Sequence, residues 1–200
     1  MTNIMTSRKN KVYSLVGVGI LAAIIVVLQV LTTYFPTKPF AITLAMIPIV
    51  IGGAVFGEKA GAILGGVFSV VVIAMCIFGV DAGGAMVWNT NPLLCILVCM
   101  VKGVAAGYIS GLLYRVLSKK NLLLGTTVAT ISATVANTGI FVLGMVLLFK
   151  PLLNSWAGGS DLVYYVVVGL AGVNFVVELV VNIVAIPIII KILQAIKVVK

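Results

Sequence analysis

Long apolar runs alternate with short polar breaks along this chain, and the breaks carry charge, proline or glycine. The runs are Val12–Tyr34, Ala41–Phe56, Ala60–Val80, Pro92–Leu117, Leu122–Phe149 and Leu162–Leu193. A tilted helix needs ~20 mainly apolar residues to cross the hydrocarbon core of a bilayer. The pattern therefore predicts six membrane-spanning helices in one transmembrane domain over 1–200. The second run is the shortest and holds Pro48 and Gly52-Gly53, whereas the sixth is the longest and has room for tilt. The first run follows Arg8, Lys9 and Lys11 as a secretory signal would. It is too long for such a segment and lacks a small-x-small cleavage site, so it reads as a retained span.

Composition agrees with the pattern. Hydrophobic residues make up 62% and charged residues 8%, with a mean hydropathy of +1.32; soluble domains run near ~45–50% and ~25%. Thirteen basic and 4 acidic side chains cannot cover a folded surface in water. A soluble enzyme, a disordered tail and a disulfide-stapled module are excluded. The net charge of +9 forms no basic patch interleaved with aromatics, so nucleic acid is not the partner. Membrane topology accounts for it instead. With six spans and the N-terminus inside, Arg8, Lys9, Lys11, Lys59, Arg115, Lys119, Lys120, Lys191, Lys197 and Lys200 are cytoplasmic. Only Lys38 and Lys150 are outside, and Lys102 is intramembrane, as the positive-inside rule requires. The expectation is an all-α six-helix bundle with both termini cytoplasmic. Cys76, Cys95 and Cys99 lie within apolar runs and read as small packing residues. With no histidine in the chain, no cofactor or His-based metal site is expected.

The inner turns, Gly57-Glu58-Lys59 and Ser118–Asn121, are minimal. The outer connections Phe35–Phe40, Asp81–Asn91 and Lys150–Asp161 are longer, Gly-rich in the last two, and richer in polar and aromatic groups. Trp88, Asn89, Asn91 and Trp156 lie there. The tryptophans fit either an interfacial belt or a lid over an outward-facing pocket. Gly57-x3-Gly61-x3-Gly65, Gly103-x3-Gly107-x3-Gly111 and Gly19-x3-Ala23 are small-residue stripes that let helices approach closely, within one chain or with a partner.

Polar groups at membrane depth carry more information, because a charge at a helix centre costs about 2.5–3.5 kcal/mol on insertion scales. Asn174, Glu178 and Asn182 form one stripe on the sixth run. Lys102, Asn174 and Asn137 fall at a shared depth of ~15–18 Å from the outer ends of their spans. A structural Lys102–Glu178 ion pair and interhelical asparagine bonds are one reading. A ligand pocket roofed by the outer loops is the other. There is no G-x4-G-K-[ST] nucleotide loop, no relay of carboxylates, no evident internal repeat and no positioned nucleophile.

Six spans, a short Pro-containing second span and ample outer loops resemble the substrate-binding S components of energy-coupling factor (ECF) transporters. The stretches that carry the resemblance are Ile42–Gly61, Asn91-Pro92-Leu93, Val173–Val180 and Ala185–Lys191. The resemblance implies a vitamin-capture subunit of the bacterial cell membrane without enzyme activity of its own. Its vitamin would enter from outside near spans 4 to 6. Energy would come from a transmembrane coupling (T) subunit and two cytoplasmic ATPases. The family's Ala-x3-Ala docking stripe on the first helix has its nearest match here in Gly19-x3-Ala23, with Ala22 beside it. The pattern is most similar to members assigned to pantothenate, then riboflavin. A lone cation, Lys102, in an apolar pocket suits a small carboxylate. A self-contained secondary carrier and an intramembrane lipid-modifying enzyme using Lys102 and Glu178 are the alternatives.

Overall fold

The computed structural model describes residues 2–33, 43–159, 161 and 164–199, with side chains placed over most of that range. All regular structure among the described residues is helical. The helices are α1 Thr2–Thr33, α2 Met46–Phe56, α3 Glu58–Ile77, α4 Ala82–Thr90, α5 Pro92–Leu117, α6 Leu122–Leu148, α7 Lys150–Ala157, α8 Tyr165–Gly172 and α9 Val173–Val199. Five stretches, Val12–Thr32, Glu58–Ile77, Pro92–Leu117, Leu122–Leu148 and Phe175–Ile196, are long and apolar enough to cross a membrane. The second predicted span is different. Helix α2 has 11 residues, ~17 Å at 1.5 Å per residue, about half the hydrocarbon core. It is buried along most of its length, from Met46 to Gly53, between its neighbours. The start of that predicted span at Ala41 and the loop Phe35–Phe40 lie outside the described residues.

Local chemistry sets most boundaries. Helices α5 and α6 begin where Asn91 and Asn121 accept hydrogen bonds from the first-turn amides of Leu94 and of Leu123 and Leu124. Gly57 turns the chain between α2 and α3 at φ 94°, a conformation other residues rarely adopt. Two connections read from composition as loops are helices. Asp81 precedes α4, and Pro151 stands in the first turn of α7, which stops at the left-handed Gly158. Between α7 and α9 the chain takes the wider π-helical winding of α8.

The most extensive pairing is α3 against α5. Its basis is the two glycine stripes, which face each other. A Cβ at Gly61 would fall on the Gly107 carbonyl, one at Gly65 on the Gly103 carbonyl, and one at Gly111 on the Glu58 backbone. As the α3 number rises the α5 number falls, so the helices are antiparallel and pack backbone to backbone. Ser69 continues the stripe by one turn, and its hydroxyl donates across to the Cys99 carbonyl at 2.6 Å. At the other end Arg115 Nη1 meets Glu58 Oε1 at 2.6 Å. Helix α6 packs on the far side of α5, and α9 closes on α6 and α2. Helix α1 is the least covered, with Leu15, Val16, Ile20 and Val27 exposed.

Candidate functional site

Three helices bring polar side chains into the bundle at one level. Lys102 is ten residues into α5 and Asn137 eleven from the end of α6, ~15 and ~17 Å below the end that carries α4 and α7. The register of α9 against α6 is given by one bond. Asn182 Nδ2 donates to Thr134 Oγ1 at 3.0 Å, between two fully buried side chains. The chain leaves α6 and returns in α9 from the same end, so the two run antiparallel. One turn toward that end, Glu178 of α9 comes level with Asn137 of α6. A further turn brings α9 level with Phe141, whose ring centre is 4.8 Å from Lys102 Nζ.

The charges are held differently from an ion pair. Lys102 Nζ also lies 5.9 Å from the Phe68 ring, so the ammonium sits between two aromatic faces, within the range of cation–π attraction. Among the described residues the ion pair closer than 4 Å is Arg115–Glu58, not Lys102–Glu178. Lys102 is nevertheless within electrostatic reach of both Glu178 and Asp81. Burial pushes the Asp81 carboxyl above the ordinary aspartate range, against the pull of the Gly84 amide, Lys102 and the Gly83 amide. Glu178 is 7% exposed and Asn137 5%, and Glu178 Oε1, Asn137 Oδ1 and Asn182 Oδ1 are buried acceptors without a hydrogen-bond donor.

Of the residues singled out in the sequence, Asn137 and Glu178 thus come level on the α6–α9 seam, both buried, and half-buried Lys102 lies against Phe141, one turn from Asn137 on α6. The side chain of Asn174 lies outside the described residues, although its backbone is in α9. Trp88 on α4 and Trp156 on α7 are half-buried and pack against the core. Asn89 is exposed, and Asn91 spends its side-chain oxygen on the Leu94 amide. On α1, Gly19 and Ala23 are exposed and Ala22 is half-buried; a Cβ at Gly19 would meet nothing within 4 Å. An apolar groove of about 490 Å³ lies between α1, α2 and the end of α9, lined by Ile20, Ile51, Phe56 and Ile192 among others. Lys102, Asn137 and Glu178 do not line it.

Sequence reasoning missed Phe68, Phe141, Asp81 and the threonine ladder of α6. Thr126, Thr130 and Thr134 recur every fourth residue, are buried, and each returns its proton to the carbonyl one turn back, at 2.8, 2.8 and 3.3 Å. That spacing was the available signal, since it continues to the level of Asn137 and Phe141. Among the described residues, no three Cys, Asp or Glu groups are placed to hold a metal ion.

The arrangement is a set of buried polar groups in a chain of long apolar helices, with two short helices at the nearer end of α5 and α6. No curated protein and no solved structure matches the chain. A family does, over residues 13–190, and its description is "ECF transporter, substrate-specific component". That span takes in α2 to α8 whole and most of α1 and α9, and with them every residue of the cluster. The chain is therefore a multi-pass protein of the cell membrane and belongs to the substrate-specific components of ECF transporters.

Proposed function

We propose that this chain captures a vitamin-like solute outside the cell and holds it between α5, α6 and α9, with Lys102, Asn137, Asn174 and Glu178 as its polar contacts. Family membership makes the general role that of a substrate-binding transport subunit that works with a T subunit and ATPases. The observation that carries the site is the pair of charges at membrane depth. Lys102 and Glu178 are not joined within 4 Å, and ionisable side chains at membrane depth are rare and costly outside a functional site.

In this reading Lys102 faces an anionic or polar group of the ligand. Helices α4 and α7 act as lids, with Trp88 and Asn89 on α4, Trp156 on α7 and Asn91 at the junction of α4 with α5. Glu178 closes the floor. The chain crosses the membrane six times, α2 contributing the shortened crossing, with both termini cytoplasmic; the distribution of basic residues supports this. The face of α1 with Gly19, Ala22 and Ala23 docks on the coupling subunit, supported by its small side chains and its lack of cover. Pantothenate is the first candidate, on the Lys102 argument, and riboflavin the second.

Thermal unfolding of the purified chain against a panel of water-soluble vitamins tests the reading. A ligand present at 100 times its Kd stabilises by about 2.7 kcal/mol. Pantothenate should raise the midpoint and riboflavin should do so less. No shift with any vitamin, together with ion-driven transport by the chain alone in liposomes, would replace this reading by a self-contained carrier. Turnover of a lipid by the purified chain would replace it by an enzyme.

A further inference from the structure

The unpartnered atoms of the cluster share one chemical character. Glu178 Oε1, Asn137 Oδ1 and Asn182 Oδ1 are all acceptors, and their residues are 7%, 5% and 0% exposed. A buried acceptor without a donor costs about 1–3 kcal/mol, more where the group is charged. Three of them follow one another along the α6–α9 seam, because Glu178 and Asn182 are one turn apart on α9 and the Asn182–Thr134 bond sets Asn137 level with Glu178. The cation above them does not supply the missing donors. Lys102 Nζ lies between the Phe68 and Phe141 rings, and neither Glu178 nor Asn137 accepts a hydrogen bond from it.

Charge points the same way. Within electrostatic reach of one ammonium, Lys102, lie two carboxyl groups, Asp81 toward the α4 end and Glu178 on the seam. A ligand that presented only an anion would satisfy Lys102 and leave the deeper acceptors as they are. A ligand that presents donors there satisfies them.

We propose that the deep part of the site, Glu178 with Asn137 on the α6–α9 seam, takes a hydrogen-bond-donor head, a hydroxyl, N–H or cationic nitrogen group, while Lys102 above it takes the ligand's acceptor or anionic part. The substrate is accordingly a two-ended molecule that enters donor end first. This rests on the solute-capture reading above and adds the polarity of what is captured.

The test uses small charged thiol reagents and needs no knowledge of the vitamin. Asn137→Cys places a thiol beside Glu178 in the otherwise native chain. The native chain, whose three cysteines are buried, gives the background by intact mass. Rates with aminoethyl methanethiosulfonate (cationic, donor-bearing) and sulfonatoethyl methanethiosulfonate (anionic) are each divided by the rate with free 2-mercaptoethanol. The cationic reagent should be preferred about tenfold or more, the scale on which a charged cleft concentrates its counter-ion. Glu178→Gln in the same background should remove most of that preference. Should Asn137→Cys fail to fold, Thr138→Cys, a near-isosteric change at the next position, takes its place.

A ratio near one, or preference for the anion, overturns the donor assignment. So does a cationic preference that survives Glu178→Gln, and so does the absence of any added label. The vitamin panel reads the solute-capture proposal separately. A thermal shift with an anion-preferring seam leaves capture standing and removes only the donor end.

Discussion

Lys102 illustrates how a basic side chain is housed at membrane depth. Its stem runs through the bundle and its ammonium rests between the faces of Phe68 and Phe141, each such contact contributing about 0.5–2 kcal/mol depending on desolvation. In the solute-capture proposal the ammonium's N–H donors serve the ligand. Lys102→Met keeps most of the volume and removes the charge. Affinity for the captured vitamin should fall by about 2–5 kcal/mol, the usual cost of deleting one side of a buried charged contact, while the fold persists. Isothermal titration and thermal unfolding of the same preparation separate the two effects. Near-normal affinity in Lys102→Met, or its return in Lys102→Met with Glu178→Gln, would mean that the two groups only balance each other. Lys102, Asn137 and Glu178 were legible beforehand because polar groups within apolar runs stand out. Their aromatic neighbours were not, since a phenylalanine in a hydrophobic span carries no mark of which face it presents. Asn91 and Asn89 looked equivalent in the sequence. Only the start of α5 at Pro92 makes Asn91 a cap, while Asn89 stays exposed near the end of α4.

At the scale of elements, the α3–α5 seam is the tightest joint. Gly61 and Gly107 each leave no room for a Cβ against the other's carbonyl, and backbone, unlike the end of a flexible side chain, cannot turn aside. Gly107→Leu should therefore separate the helices and unfold the chain at markedly lower temperature, with a loss of about 3 kcal/mol or more from overpacking. Gly19→Leu adds the same volume to α1, where nothing lies within 4 Å, and should leave the melting temperature within error. Comparable losses in the two variants would contradict the packing described. The stripes were visible as spacing, but their mutual register depends on which helices meet, and spacing alone does not say that. The short lengths of α2 and the helical nature of α4 and α7 were hidden for related reasons. Hydropathy counts apolar residues without locating a turn, and a glycine-rich segment such as Asp81–Asn91 reads as a loop until Asp81 and the following helix are seen together.

The whole molecule divides its surfaces by task. Buried polar groups lie along the α6–α9 seam, whereas α1 offers a broad apolar face elsewhere. If α1 serves the coupling subunit, binding and uptake should separate. Gly19→Trp or Ala23→Trp should leave the affinity of the purified chain for its vitamin unchanged within about twofold, because neither residue touches the polar cluster, and should abolish uptake by cells that contain the full transporter. Parallel loss of binding and uptake would instead make that face part of the chain's own packing.

The glycine seam also constrains how the site opens. Helices whose backbones rest on each other's carbonyls at every turn have no neighbouring position of equal comfort. A shift of one residue along the seam would set the side chains of Ala62, Leu64 or Val104 where glycine now stands. The α3–α5 pair therefore behaves as a keel, and Lys102, carried on it, is a fixed point in the cycle. Whatever admits and releases the solute must be rigged to that keel and move past it: the short helices α4 and α7 at one end, or α9 on the flank. Distances measured across α3–α5 should stay constant through capture and delivery, and the travel should be found in the parts that can swing.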